Sequence, residues 1–317
     1  MRRIGELGRK PVLAAVLAGV ILAAGACGTA REPASAGPVT AAQPPVPGPG
    51  AGSLRLADET ARSLLASMVF PPGARALGGG PVPAQLRRPA EVTGSGHLVL
   101  RHQIRVVSRP AAWVLRFLRR HVPAGLTGSG TGYSGLAARP VNFLTWTRKT
   151  PGRGLYSAVL VVGVLAGRHG LTHVRADAQV IWYPPRSRAE YIRPVRYSLV
   201  TVLVRLLNPR LRVYRRTFAS RTVIARLAST LNNLHANPGL TLFCPLIASS
   251  VRLTFRPRGT GPAVIAAAPS GCDSVAMSAS GVPQPALLGG SATIELASRL
   301  LGVRLLPPGQ AKPGIRH

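Results

Sequence analysis

The sequence predicts an α+β protein, with antiparallel sheets that carry packed amphipathic helices. Three observations lead there. Runs such as Leu98 to Val107 and Thr172 to Trp182 alternate apolar and polar residues, the period of a half-buried strand. Other runs repeat at three and four residues, the period of a helix with one apolar face. The predicted strands are joined by short, Gly- and Pro-rich connections, whereas a parallel pair needs a crossover of a dozen or more residues.

The elements follow in order. Asp58 to Met68 reads as a helix, with Asp58 and Glu59 in its first turn and Ala61, Leu64, Leu65 and Met68 on one face. Phe70-Pro71-Pro72-Gly73 ends it. Leu98 to Val107 is a strand with Leu98, Leu100, Ile104 and Val106 facing inward and Arg101, Gln103 and Arg105 outward. Pro110 opens a second helix, where proline suits the first position; Trp113, Val114, Phe117 and Leu118 line one face. Gly125 to Gly135 is expected as a flexible Gly/Ser/Thr loop. Strands at Val141 to Lys149, Leu155 to Leu165 and Thr172 to Trp182 then form a meander, with turns at Pro151-Gly152 and Gly167 to Gly170. In the last strand Val174, Ala176, Ala178, Val180 and Trp182 face the core, and Arg175 and Asp177 share the outer face.

Tyr183 to Pro194 breaks the pattern and marks a boundary. Beyond it, Ser198 to Leu206 and Leu211 to Phe218 read as a hairpin around Asn208-Pro209. Ser220 caps a helix with Val223, Ile224, Leu227, Leu231 and Leu234 on one face, ended by Asn237-Pro238-Gly239. Strands follow at Val251 to Arg256, Ala263 to Ala268 and Ser274 to Ser278. Ser291 begins a last helix with Ile294, Ala297, Leu300 and Leu301 inward.

The first residues carry an address. Arg2, Arg3, Arg9 and Lys10 precede an uncharged apolar run, Val12 to Ala24, and then the small residues Ala24-Gly25-Ala26. That order is a secretory signal peptide, and the run falls short of the roughly 20 apolar residues that span a membrane. Leu22 to Cys27 resembles the lipobox of bacterial lipoproteins, with Ala24 where the family prefers Leu. In that pattern Cys27 becomes the lipid-bearing N-terminus, palmitate included, on the outer face of the cell membrane. Ala24-Gly25-Ala26 equally suits ordinary signal peptidase, which leaves free secretion as the alternative. Three cysteines leave one unpaired, and lipidation at Cys27 accounts for it. The expected organisation is a signal peptide over 1–26, a lipid-attachment Cys and Pro/Ala/Gly-rich disordered tether over 27–53, an α+β domain over 54–185, a second over 186–306 and a disordered tail over 307–317.

The charge bounds the partners. The chain carries 40 Lys+Arg against 9 Asp+Glu, net +31. Without residues 1–26 it keeps 36 against 8, net +28, almost all of it Arg. A high-GC genome accounts for Arg over Lys, but not for the scarcity of acids. Such a body is attracted to polyanions, more weakly as salt rises. Outside the membrane these are acidic lipid headgroups and anionic wall polymers; export argues against nucleic acid. Arg116, Arg119 and Arg120 on the second helix and Arg205, Arg212, Arg215 and Arg216 on the hairpin are the candidate anion-binding residues. Arg186, Arg188, Arg193 and Arg196 make the linker basic too.

Catalytic motifs fail on context. Gly130-Thr131-Gly132-Tyr133-Ser134-Gly135 matches G-x-G-x-x-G, but a helix precedes it and a strand follows, the reverse of a dinucleotide site. His169, His173 and Asp177 have metal-like helical spacing, but on a strand residues four apart stand roughly 13 Å from each other, too far to share an ion. They read as exposed strand residues, and no metal or cofactor is expected. His97, His102, His121 and His235 are scattered, as are the acids Asp58, Glu59, Glu91, Asp177, Glu190, Asp273 and Glu295. There is no G-x-S-x-G and no H-E-x-x-H.

Asn232, Phe243-Cys244-Pro245, Leu253-Thr254-Phe255, Gly271-Cys272 and the closing helix resemble the uncharacterised exported lipoproteins of high-GC Gram-positive bacteria, over about the last third of the chain. The resemblance implies an extracytoplasmic α+β module with a Cys pair and brings no activity or site residue. In an oxidising compartment, with Cys27 lipidated, Cys244 and Cys272 are the two thiols left to pair. They flank one predicted hairpin at the same end, within reach of a bridge; two buried thiols are the alternative. The reading is a non-enzymatic envelope lipoprotein that binds an anionic wall polymer, a membrane surface or an envelope partner. A secreted hydrolase is the rival.

Overall fold

The computed structural model describes residues 49–303, apart from 79, 135–139, 152, 207–211 and 242–248. The expected signal peptide, Cys27, most of the expected tether, Cys244, the expected turn at Asn208-Pro209 and the expected tail lie outside the described residues. The fold is α+β, built on two antiparallel sheets with helices against them.

Helix α1 runs from Pro49 to Ala66, nine residues earlier than the sequence suggests, so its first turns take in the end of the expected tether. Asp58 therefore lies mid-helix. Its carboxylate accepts from Arg62 one turn on and from Arg101 at 2.7–2.8 Å. Ala57, Ala61 and Leu64 form the buried stripe, with Met68 just past the helix end. Strands β1 (Arg75–Ala76) and β2 (Leu98–Val107) follow, then helix α2 (Ala111–Arg120). Pro110 stands immediately before α2, and Val114 and Leu118 are its buried residues.

Four consecutive strands complete the first sheet: β3 (Leu126–Ser134), β4 (Val141–Arg148), β5 (Leu155–Ala166) and β6 (Thr172–Trp182). The order is β1-β2-β6-β5-β4-β3. The expected Gly125–Gly135 loop is thus an edge strand. Its residues pair with β4 through a bulge at Gly128 to Gly130. A Cβ at Gly132 would stand 2.6 Å from the tip of the Phe143 ring, so a larger residue there would have to displace that ring. Glycines lower strand propensity, but a register partner and an aromatic lid supply what propensity lacks.

The facing of β2 is the reverse of the expected one. Val99 and Val107 pack in the core with α1. Arg101, Gln103 and Arg105 point the same way and are satisfied at the helix: Arg101 on Asp58, Gln103 on the Leu65 carbonyl at 3.1 Å, and Arg105 over the Phe70 ring. Leu100, expected inside, is exposed.

The second sheet contains β7 (Tyr197–Leu206), β8 (Arg212–Phe218), β9 (His235–Ala236), β10 (Ser249–Pro257), β11 (Val264–Pro269), β12 (Ser274–Ala279) and β13 (Val282–Leu288). Its order is β8-β7-β10-β11-β12-β13-β9. Helices α3 (Arg221–Asn232) and α4 (Gly290–Leu301) lie on one face. Beneath them Val200, Val202, Val204, Val251, Leu253 and Phe255 meet Ile224, Leu227, Leu231 and Ile294 in one core. Ser220 is at the α3 N-cap, but its side chain makes no capping hydrogen bond. The start of α4 is capped from outside: Asp273 accepts from the Ser291 amide at 3.2 Å and its hydroxyl at 2.9 Å. Strand β13 was not anticipated, since Pro283 and Pro285 argue against a strand. It forms because β9 pairs only with Leu287 and Leu288, so the prolines sit on an open edge that needs no donor.

Both sheets belong to one compact unit. Ser95 before β2 donates to the Pro238 carbonyl at 2.6 Å, and Tyr183 after β6 stacks on His235 of β9 at 4.0 Å.

Candidate anion-binding face

The antiparallel ladder sorts the hairpin arginines by side. Val202 and Val204 point into the helix-covered core, and their register partners Arg216 and Tyr214 lie on the same side of the sheet, Tyr214 against the core and Arg216 exposed. Arg212, opposite Leu206, shares that side. Arg216 lies over the Phe218 ring at 5.1 Å. Arg205 and Arg215 point the other way. The four hairpin arginines expected to act together therefore divide into two pairs on opposite faces, because side chains alternate along a strand.

The face that carries Arg205 and Arg215 gains two residues the sequence analysis did not select. Arg215 is opposite Leu203, and Leu203 is opposite Arg252 of β10. Arg215 and Arg252 thus stand in one register row two strands apart, roughly 10 Å at ordinary strand spacing. Arg205 lies in the adjacent row between Val213 and Ser250, and Arg256 pairs with Leu199 at the far end. All four arginines are exposed. Between them lie Leu203, Thr201, Thr217, Thr254 and Ile265, and no carboxylate shares these rows. The signal for Arg252 and Arg256 was present in the alternation of Val251 to Arg256. Which of the two faces stays open was not.

The remaining basic candidates have different settings. Arg116, Arg119 and Arg120 are exposed on α2, one turn apart on one side, with Arg119 and Arg120 in the last turn, where cations suit the helix dipole. Arg186 is buried and structural. Its guanidinium donates to the carbonyls of Leu231, Asn232 and Leu234 at 2.9–3.1 Å and of Glu190 at 2.8 Å, and covers Tyr191 at 4.5 Å. It thereby ties off the carbonyl end of α3.

Arg175 and Asp177 share a face of β6 as expected, but that face is covered. Arg175 is 4% exposed and Asp177 1%. The chain between β1 and β2 lies across them. Arg175 donates to the Leu86 carbonyl at 2.8 Å, and Gln179 both donates to the Glu91 carbonyl and accepts from the Thr93 amide. Gly163, opposite Arg175, leaves room for Val141, whose side chain would stand 3.0 Å from an added Cβ, with Leu86 and Ala90 in ordinary contact at 3.7 Å. His173 lies on this same face, is not exposed, and burial holds its pKa below 6.5. His169 is in the Gly167–Gly170 turn with a positive φ. Among the described residues no three of His, Cys, Asp and Glu are grouped for a metal ion.

The cleft lined by Arg153, Tyr183, Arg186, Asn232 and His235, about 490 Å³, has no carboxylate among the described residues of its wall. Cys272 is buried in the turn between β11 and β12. Among the described residues no helix is long and apolar enough to cross a membrane. No protein-family model, curated protein or solved structure matches the chain.

Proposed function

We propose that this is a non-enzymatic envelope lipoprotein, anchored through Cys27, whose body binds an anionic wall polymer on the open arginine face of the second sheet. The observation that carries the reading is the acid-free array of Arg205, Arg215, Arg252 and Arg256. Guanidinium forks match phosphate or carboxylate oxygens bidentately, and an array on a rigid sheet can engage several anionic groups of one chain together. A polymer fits better than a bilayer. Surface helices bind membranes by burying bulky apolar side chains, whereas the large apolar residue exposed on this face is Val213. The membrane contact comes instead from the lipid on Cys27, a reading that rests on the lipobox-like segment.

The test is cosedimentation of the full chain with isolated anionic wall polymer over a salt series, beside liposomes of acidic lipid. Polymer binding should fall steeply with salt, and R215E/R252E should abolish most of it while the melting temperature holds. Binding that ignores salt, or survives the double charge reversal, overturns the proposal. Stronger binding to liposomes than to polymer moves the function to the membrane surface. In cells, Cys27→Ser should shift the protein out of the membrane fraction; an unmodified Cys27 on wild-type protein in the medium removes the anchor.

A further inference from the structure

The segment from Ser187 to Arg196 holds Arg188, Arg193 and Arg196 within nine residues. Short basic loops are usually loose, but this one is pinned at several points. Ser187 and Glu190 close a capping box. The Asn232 side chain accepts from the Ile192 amide at 2.9 Å and donates to its carbonyl at 2.8 Å. The Arg196 carbonyl accepts from the Arg258 amide at 2.9 Å. Ile192 itself is buried in the core. The backbone that presents the three arginines is therefore held before any ligand arrives.

The three arginines line one cavity of about 290 Å³. Opposite them the wall is mostly apolar, with Tyr197, Pro262, Val264, Met277 and Ala279. Tyr197, Val264 and Met277 belong to the core under α3 and α4, so the cavity opens on the helix-bearing side of the sheet, away from the open arginine face. Arg188, Arg193 and Arg196 form no ion pair among the described residues. Glu190 is the carboxylate in the wall; its Oε1 accepts from the Ser187 amide at 3.2 Å, while its buried Oε2 has no hydrogen bond and stands 3.9 Å from Arg186, whose charge offsets it.

We infer that this cavity binds a phosphate monoester bearing a small apolar group. A monoester carries nearly two charges at neutral pH and three strong acceptor oxygens, which suits three guanidinium groups; a carboxylate offers one charge and two oxygens. The apolar wall takes the organic portion. The volume is at the lower end of small-molecule sites, about 300–1,000 Å³, so that portion is one ring or a short chain. The site is independent of the polymer-binding face, and either reading can fail without the other.

Phenyl phosphate is the probe, titrated into the full chain by calorimetry, with inorganic phosphate and benzoate alongside. Phenyl phosphate should bind saturably at one site, about tenfold more tightly than either control, a difference near 1.4 kcal/mol. R193Q/R196Q should weaken it at least about tenfold, since each loses a charge-assisted hydrogen bond, with an unchanged thermal melt because both side chains are exposed. R215Q/R252Q should leave it unchanged. Absence of binding at millimolar probe, retention in R193Q/R196Q, or equal loss in R215Q/R252Q overturns the site. Benzoate binding as tightly as phenyl phosphate overturns its assignment to phosphate.

Discussion

Arg175 holds Asp177 from two residues away on the same strand, with Nε donating to both carboxylate oxygens at 2.9 Å and a terminal nitrogen to one at 2.7 Å. Both side chains are buried beneath the segment that Arg175 also binds at Leu86. Burial raises the Asp177 pKa above 3.8, and the hydrogen bond and charge of Arg175 pull it back only in part. As pH falls, the folded carboxyl takes up its proton before the unfolded one. Ionisation of Asp177 thus weakens the fold as pH rises from 3.8 through its folded pKa.

Removing one partner leaves a charge buried alone. Arg175→Met should therefore cost about 3–5 kcal/mol in chemical denaturation, and the double variant R175M/D177L should regain most of it. It should also loosen the segment over the sheet, seen as faster hydrogen exchange at the Thr93 amide. A single variant no less stable than wild type would show that the pair does not organise this face.

The ring of His235 stacks on Tyr183, and burial, then the charge of Arg186, lower its pKa below 6.5. Below 6.5 the unfolded chain binds the proton first. Stability should then fall as pH drops from 6.5 toward the lower folded value, and be unaffected by this group above 6.5. His235→Phe keeps a stacked ring and cannot titrate. Its denaturation midpoint should change less between pH 7.5 and pH 5.5 than the wild-type one, with His173 leaving a smaller slope of the same sign. Equal slopes in the two proteins would refute the assignment.

We propose a disulfide between Cys272 and Cys244. Ser249, five residues after Cys244, donates its amide to the Ser270 hydroxyl at 2.8 Å, and its carbonyl accepts from the Ser270 amide at 2.8 Å. The chain leaving Cys244 is thus held two residues from Cys272. A bridge closing that loop would contribute about 3–4 kcal/mol by chain-entropy reasoning. A linked peptide in a non-reduced digest of envelope-purified protein is the expected result; two alkylatable thiols would exclude it.

Local pattern made much of this protein legible. Strand β6 falls on the residues its alternation marks, Thr172 to Trp182, and α2 follows its proline, because periodicity and the fixed φ of proline act within a few residues. Strands β3 and β13 were hidden because their glycines and prolines oppose strand formation locally, and only a partner strand with an open edge reverses that preference. The same holds for function. Sequence density placed Arg205, Arg212, Arg215 and Arg216 in one group. The pleat separates them, and sheet order then joins two of them to Arg252, far away in sequence. Likewise Arg175 and Asp177 alternate as solvent-facing residues would, and are buried by a segment some ninety residues earlier in the chain. By itself the sequence determined the basic charge and the type of most elements, which are properties of composition and near neighbours. Which face of each element is covered depends on contacts between distant segments, and only the tertiary structure decided that.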